Sequence, residues 1–356
     1  MTKVALEKLG LTTRLICLDK LYPEVVKDVE SGPRRVLAYS DIGSGHIKWL
    51  SEWNKTGNLI LTLDHHDTVD VKDPLVHNLN PELDGFSGER DACSSTVAYL
   101  FAKTVEPSST SFAPLAIIGS TEIPGKAEGL NLIPLKDGET AGKVYPIGKG
   151  VKIDLGPASV SPSRASTILN VLGSVGYYRH GPKTGINTCL NGFDKETMHQ
   201  ADQLEEERKE ANQRMLTVIR ENGLSQLKSV QWFHAKDNYE GMSGKVVGSF
   251  CSYLTYQKII NPAKYLLGMM NVPPDIPGWG KLPSPLVKVS GRAPRILAKL
   301  IEEGKRPALS KILPEACEKA GGFGDGHSVA ASGVFPVGSE DKLLVAMDSL
   351  AAGPSS

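Results

Sequence analysis

The chain has 356 residues, of which 40% are apolar and 22% charged, the profile of a soluble globular protein long enough for two domains. Its 40 basic residues equal its 40 acidic ones, so global charge steers it neither to DNA nor to a membrane surface, and any nucleic-acid affinity must come from a local patch. Five scattered cysteines (Cys17, Cys93, Cys189, Cys251 and Cys317) form no CxxC pair, and no apolar run approaches the ~18 residues of a membrane span, so the expectation is a cytoplasmic protein without disulfides or membrane anchorage.

Val4 to Leu11 reads as the tail of a helix that stops at Gly10. Arg14 to Leu18 reads as a strand and is followed by a helix with Pro23 near its start. Arg35 to Asp41 is a second strand, ending in an acid that precedes Gly43, Ser44 and Gly45. A helix over His46 to Trp53 leads to the apolar run Leu59 to Leu63, which ends in Asp64, His65 and His66. Strands alternating with short helices indicate a parallel sheet, and in such sheets the carboxyl ends of the strands border the ligand crevice. Two neighbouring strand tips carrying Asp41 and the Asp64 triplet therefore predict a divalent-metal site. Strand alternation puts Asp64 and His66 on one side and His65 on the other.

Asp67 to Asp91 reads as a polar connection containing Asn80-Pro81 and Gly85, and Cys93 to Lys103 as a helix. Leu115 to Gly119 reads as a further buried strand, with Glu122 the one acid at its end. Residues 125–192 are rich in glycine and turn signals, with one clear helix near Ala165 to Val171. Asp194 to Asn222 is the strongest helix: Asp194 suits the N-cap and Gly223 the stop. Met198, Ala201, Leu204, Ala211, Met215, Val218 and Ile219 form its apolar stripe, and its acidic face reads as solvated. This helix is expected to connect a first domain (1–193) to a second (224–356), with 194–223 as the bridge.

In the second domain, Val230 to His234, Tyr265 to Met270 and Pro285 to Ser290 read as strands, and Lys245 to Ile259 as a helix. Between Lys281 and Lys311, eight basic residues face only two acids, Glu302 and Glu303, a local excess that suits a phosphate-binding face or a solvated one. Gly321 to Gly333 carries five glycines in thirteen positions, which would let the backbone approach an anion and present N–H groups to it, with His327 as a further donor.

Taken in this order, these motifs resemble the DHH superfamily of phosphoesterases, in the branch with a C-terminal DHH-associated domain, and among its subgroups the archaeal RecJ-like exonucleases. Asp64-His65-His66 matches the name-giving motif, Asp41 to Gly45 the preceding acid motif, and Ser290-Gly291-Arg292 with the Gly321 to Gly333 stretch the substrate-binding domain. The resemblance implies an α/β fold with an N-terminal parallel-sheet domain joined by a long helix to a smaller α/β domain. It implies a pair of Mn²⁺ or Mg²⁺ ions that activate water for attack on a phosphodiester. Carried over, Asp64, His65 and His66 form the catalytic motif. Asp41 and His65 are metal ligands, His66 ligates metal or contacts the phosphate, Glu122 is the nearest candidate for a further metal ligand, and Ser290, Arg292, Gly322, Gly324, Gly326 and His327 hold substrate. The implied partners are single-stranded DNA or RNA and replication or repair proteins.

Two departures accompany the resemblance. The family carries a His-x-Asp-x-Asp-Gly motif on a first strand, and nothing before Val4 matches it, which would place the natural start upstream of Met1. Ile123 stands about where another metal-binding Asp belongs, with Glu122 the nearest substitute. The ligands that remain are few for a two-metal cage. The functional expectations are therefore a RecJ-like exonuclease, a catalytically reduced nucleic-acid-binding scaffold, or a phosphodiesterase of short oligonucleotides or cyclic dinucleotides.

Overall fold

The computed structural model describes residues 1–148, 150–156 and 159–352. The chain divides into two compact units, Met1–Asn170 with Pro182–Ala201, and Val171–Gly181 with the residues from Asp202 onward.

The first unit opens with helix α1 (Thr2–Lys8), and Gly10 takes the positive φ of 83° expected of its stop. The strand expected over Arg14 to Leu18 does not form. Leu15 is 47% exposed, so the run has no buried face to stabilise a strand, and among the described residues it pairs with none. Helix α2 (Pro23–Ser31) begins on its proline, whose fixed φ suits the first turn. Strand β1 (Val36–Ser40), helix α3 (Ile47–Trp53), strand β2 (Leu59–Leu63) and strand β3 (Val76–Leu79) follow. The three strands form a parallel sheet in the order β1-β2-β3. Ser40 pairs with Leu63 and Leu63 with Leu79, so the three carboxyl ends finish level. Strand β3 lies inside the stretch read as a plain connection. Its four residues alternate buried and solvent-facing, too short a pattern to stand out.

Leu21, Val26, Tyr39, Ile47, Leu50, Ile60 and Val76 form the core of this sheet and its helices. Each fully buried Leu or Ile there contributes roughly 1.5–3 kcal/mol before chain entropy is counted. Helix α4 (Ser94–Val105) packs Val97 and Ala98 on Leu63, backing the β2 tip. Leu115 to Gly119, expected as a strand, belongs to helix α5 (Ala113–Ser120). Every residue from Ala113 to Ile118 is buried, and a helix apolar on all sides shows no periodicity to distinguish it from a buried strand. Gly119 marks the crossing with α4, since a Cβ there would lie 2.0 Å from Ser95 Oγ. The unread stretch beyond contains helix α6 (Leu132–Thr140), a small antiparallel sheet of β4 (Val144–Ile147), β5 (Gly150–Asp154) and β6 (Ser159–Val160), and helices α7 (Pro162–Ser174) and α8 (Gly181–Asn191).

Helix α9 (Lys195–Asn222) is capped as its sequence predicts. Asp194 Oδ1 accepts the Thr197 N–H at 2.7 Å, and Gly223 turns out with φ 74°. Ala201, Leu204, Ala211, Met215 and Ile219 of the stripe are buried, whereas Val218 is 46% exposed and Leu216 takes an inward place instead.

The second unit is built on a six-stranded sheet in the order β13-β14-β12-β9-β8-β7, from β7 (Ser225–Gln226), β8 (Val230–His234), β9 (Tyr265–Val272), β12 (Leu286–Arg292), β13 (Phe323–Gly326) and β14 (Ala330–Pro336). Two short strands, β10 (Asp275–Ile276) and β11 (Gly280–Lys281), form a separate ribbon. Only β8 and β9 run parallel; the other pairs are antiparallel. Alternation along β12 divides its faces. Val287 and Val289 join a core with Leu297 and Ile301 of α11 (Arg295–Glu302), Leu309 and Leu313 of α12 (Leu309–Lys319) and Leu343 and Met347 of α13 (Glu340–Ala351). Lys288, Ser290 and Arg292 face α10 (Lys245–Leu254), which lies so close that a Cβ at Gly244 would sit 2.6 Å from Lys288 Cγ and one at Gly248 2.8 Å from Ser290 Oγ. Helix α10 ends before the expected Ile259, and Tyr256 just beyond it is 87% exposed.

Gly321 to Gly333, expected as an open glycine loop, is largely the β13–β14 hairpin. Its glycines are taken up by strand contact: a Cβ at Gly322 would meet Val334 O at 1.9 Å, and one at Gly324 would meet Ser332 O at 2.9 Å. The basic excess between Lys281 and Lys311 forms no single face. Lys288 is buried, while Lys299, Lys305 and Arg306 project from α11 and the turn after it. Among the described residues no helix is long and apolar enough to cross a membrane.

Candidate metal centre

The site in the first unit is built where β1, β2 and β3 end. Asp41 leaves β1 with φ 62°, a left-handed conformation that Asp tolerates better than most residues, and its N–H bonds to Leu63 O at 2.9 Å. Gly43 has φ 115° and packs on Tyr39 and Thr62, turning the chain back so that the Ser44 N–H donates to Asp64 Oδ2 at 3.0 Å. Strand β3 holds this turn. Asn78 Oδ1 accepts from Ser44 Oγ at 2.7 Å and from Thr62 Oγ1 at 2.6 Å. Asn78 Nδ2 donates to Thr68 Oγ1 at 3.0 Å, and Thr68 Oγ1 donates to Ser44 O at 2.9 Å. Sequence reasoning missed Asn78 and Thr68, because nothing in the pattern of residues 67–91 marks a strand there.

Asp64 is 1% exposed. It accepts from His66 Nδ1 at 2.6 Å, from the His65 N–H at 2.8 Å and from Ser44. Burial pushes its carboxyl pKa up, but the bond to and charge of His66, with the amides of Ser44 and His65, outweigh burial and bring it down to about 2. Asp64 is therefore a carboxylate at neutral pH, and the ring proton in its bond to His66 lies on Nδ1. A neutral His66 ring with Nδ1 so engaged offers Nε2 as the nitrogen able to ligate.

His65 is 6% exposed, with Nδ1 2.7 Å from Gly88 O. A carbonyl can only accept, so His65 Nδ1 carries a proton and donates it. Its Nε2 lies 3.7 Å from Asp41 Oδ1 and 3.8 Å from Glu122 Oε1. The two histidine rings meet edge to face at 4.8 Å. One ligand atom each from Asp41, Asp64 and His66 lie within 4.8 Å of one another. Strand alternation had placed His65 on the opposite side. The strand ends at Leu63, and Asp64 Oδ1 takes the next N–H, a local turn that cancels the alternation.

Glu122 also reaches the site by a route other than the expected strand end. It stands in the turn after α5, its N–H bonded to Gly119 O at 3.1 Å. The assembled donors are carboxylate oxygens and imidazole nitrogens whose Nδ1 atoms are committed elsewhere. Such a set could hold a first-row divalent ion such as Mn²⁺, and imidazole suits it better than it suits Mg²⁺, which favours oxygen throughout.

The remaining predicted residues lie in the second unit. Ser290 is 3% exposed. Arg292 Nε donates to Ser252 Oγ at 2.9 Å and Nη1 to Gly291 O at 2.8 Å, and among the described residues it has no carboxylate partner. Ser290 pairs with Ser332 of β14 and Arg292 with Ala330. Gly326, with φ 153°, ends β13, and the His327 N–H closes the hairpin on Ala330 O at 2.8 Å.

No family model matches the sequence, and no curated protein matches it. Solved structures do resemble it. Exonuclease RecJ bound to manganese superposes with a TM-score of 0.57 at 14% identity, over 98% of this chain and 85% of that one. RecJ from Thermus thermophilus in complex with Mn²⁺ gives 0.59 at 15% identity, over 98% of this chain and 49% of that one. A DHH-domain protein described as a member of a family of ribosomal proteins gives 0.54 at 17% identity, over 88% and 69% of the two chains. The fold of this chain is thus the one found in DHH-domain proteins and RecJ exonucleases.

Proposed function

We propose that this chain is a divalent-metal-dependent phosphodiesterase of the DHH type that hydrolyses single-stranded nucleic acid in the manner of RecJ. The observation that carries the reading is the convergence of Asp41, Asp64, His65, His66 and Glu122. His65 Nε2 lies 3.7 Å from an Asp41 carboxylate oxygen and 3.8 Å from a Glu122 carboxylate oxygen, a spacing that one divalent ion shared by the imidazole and the carboxylates could bridge. The fold is one that other proteins use with manganese bound.

A bound divalent ion would supply Lewis acidity towards a phosphoryl oxygen and a water of lowered pKa. Asp41, His65, His66 and Glu122 would hold it, and Asp64 would orient His66 from behind. The donors suit one such ion. In the second unit, Arg292 offers a guanidinium fork without a carboxylate partner among the described residues, and Ser290 stands beside it on the same strand face; these residues, with the amides of Gly324 and Gly326 and with His327, are proposed to hold the phosphate backbone, whereas the Gly322 N–H, expected to join them, is taken by Cys317 O at 2.8 Å.

The test is hydrolysis of an end-labelled single-stranded oligonucleotide in Mn²⁺ and in EDTA, with His65→Ala and Arg292→Met beside the wild type. Mn²⁺-dependent shortening that His65→Ala abolishes, and that Arg292→Met weakens mainly through KM, supports the proposal. Tight oligonucleotide binding with no shortening in any metal would assign a nucleic-acid-binding scaffold instead.

A further inference from the structure

The connection between β2 and α4 does more than join them. Asn80 Oδ1 accepts the Glu82 N–H at 3.0 Å, and Asn80 Nδ2 donates to His66 O at 2.9 Å, so the segment grips the peptide of one site histidine. A single turn of 3₁₀ helix over Pro81–Asp84 then reverses the chain. Gly85, with φ 81°, takes the left-handed conformation that closes it, and the Phe86 N–H bonds back to Pro81 O at 3.0 Å. The reversal brings Gly88 to Glu82, and Glu82 Oε1 accepts the Gly88 N–H at 2.6 Å. The other side of the same residue, Gly88 O, accepts from His65 Nδ1. Gly88 has to be glycine, because a Cβ there would lie 1.9 Å from His65 O.

We infer that Glu82 is a positioning residue for His65. Its carboxylate fixes the Gly88 N–H, and with it the residue whose carbonyl, in the next peptide unit, sets both the plane of the imidazole and the nitrogen that carries its proton. Glu82 is an exposed residue and so not part of the core, and the bond of its carboxylate to a backbone N–H is charge-assisted. Held in this way, His65 directs Nε2 at Asp41 and Glu122. With Gly88 loose, its carbonyl can swing away, the ring can turn about χ2 or move its proton to Nε2, and the ligating nitrogen is lost. Partners of this kind behind metal-binding histidines typically alter metal affinity about 10- to 100-fold. The inference rests on the proposed metal site for its functional consequence; the tautomer itself does not depend on that site.

The experiment uses the full chain labelled with ¹⁵N-histidine, free of metal and at pH 8.5, with the His65 signals assigned by their loss in His65→Gln. Long-range ¹H–¹⁵N spectra distinguish Nδ1–H from Nε2–H rings. Wild type and Glu82→Gln, whose amide oxygen still accepts from Gly88, are expected to keep His65 as the Nδ1–H form. Glu82→Ala is expected to give a mixture of forms with an unchanged circular dichroism spectrum. A wild-type Nε2–H ring, or a Glu82→Ala spectrum identical to wild type, overturns the inference. Loss in Glu82→Gln equal to that in Glu82→Ala also overturns it, since charge and not position would then be responsible. Mn²⁺ titration of the same three proteins is the second reading, with an expected loss of about tenfold in Glu82→Ala and less than about twofold in Glu82→Gln. If no Mn²⁺ binds the wild type, the metal reading fails while the tautomer result still decides the role of Glu82.

Discussion

Glu30 gives the sharpest pH prediction. It is fully buried in the last turn of α2, where its Oε1 accepts a long 3.3 Å bond from Tyr39 and its Oε2 has no hydrogen-bond partner. Its backbone carbonyl accepts from Thr56 Oγ1 at 2.6 Å and Asn58 Nδ2 at 3.0 Å, tying α2 to the loop that feeds β2. Burial pushes the carboxyl up from 4.5 to about 7, against the smaller opposing effect of the Tyr39 bond. The folded state therefore binds this proton more tightly than the unfolded chain does. Its contribution to stability is complete below 4.5, declines as pH rises, and is gone above about 7. A shift of that size corresponds to roughly 3 kcal/mol. Glu30→Gln removes the titration and places an amide where the acid stood. Urea unfolding followed by circular dichroism, at pH 5 and pH 8.5, should show the variant gaining about 2–3 kcal/mol on the wild type between the two pH values. The same difference at both pH values would refute the reasoning, because it would mean that Glu30 titrates alike in folded and unfolded chains.

Other variants test the fold within each unit. Gly268→Ala puts a Cβ 2.4 Å from Cys251 Sγ and 2.6 Å from Phe233 Cζ in the middle of β9, and should cost about 1–3 kcal/mol in chemical denaturation. Asp194→Ala removes the cap on α9 and should lower the thermal midpoint by less than Gly268→Ala does. The Thr197 amide and hydroxyl hold the Asp194 carboxyl below its usual pKa, so the cap's contribution is present above that pKa and fades as pH falls; Asp194→Ala should accordingly differ less from wild type in acid than at neutral pH.

The parts of the site legible in the sequence are those where an apolar run ends in unusual residues. Ile60 and Leu63 bury completely, which forces β2 into the sheet, and the chain then delivers Asp64, His65 and His66 at its tip. Helix α9 was legible through its Asp194 cap and Gly223 stop. What stayed hidden depends on tertiary packing. Leu115 to Ile118 is apolar throughout, so nothing in the run separates a buried helix from a buried strand, and Glu122 arrives on a helical turn instead of a strand end. The side on which His65 falls is decided by Asp64 taking N–H groups after the strand, a local bond that overrides strand alternation. Asn78 and Gly88 act through hydrogen bonds to residues distant in sequence, Ser44 and His65, and neither leaves a periodic trace. The Gly321 to Gly333 stretch shows the converse: a glycine-rich run whose small residues serve strand-to-strand contact.

The most direct measurement is Mn²⁺ binding by the full chain, read by calorimetry and by the loss of free-ion electron paramagnetic resonance signal, for wild type, Asp41→Asn and His65→Ala. The account predicts one strongly bound Mn²⁺ per chain and a weakening of about tenfold or more in each variant. Binding of equal strength in wild type and His65→Ala, or none in the wild type, would contradict a metal centre at these strand ends.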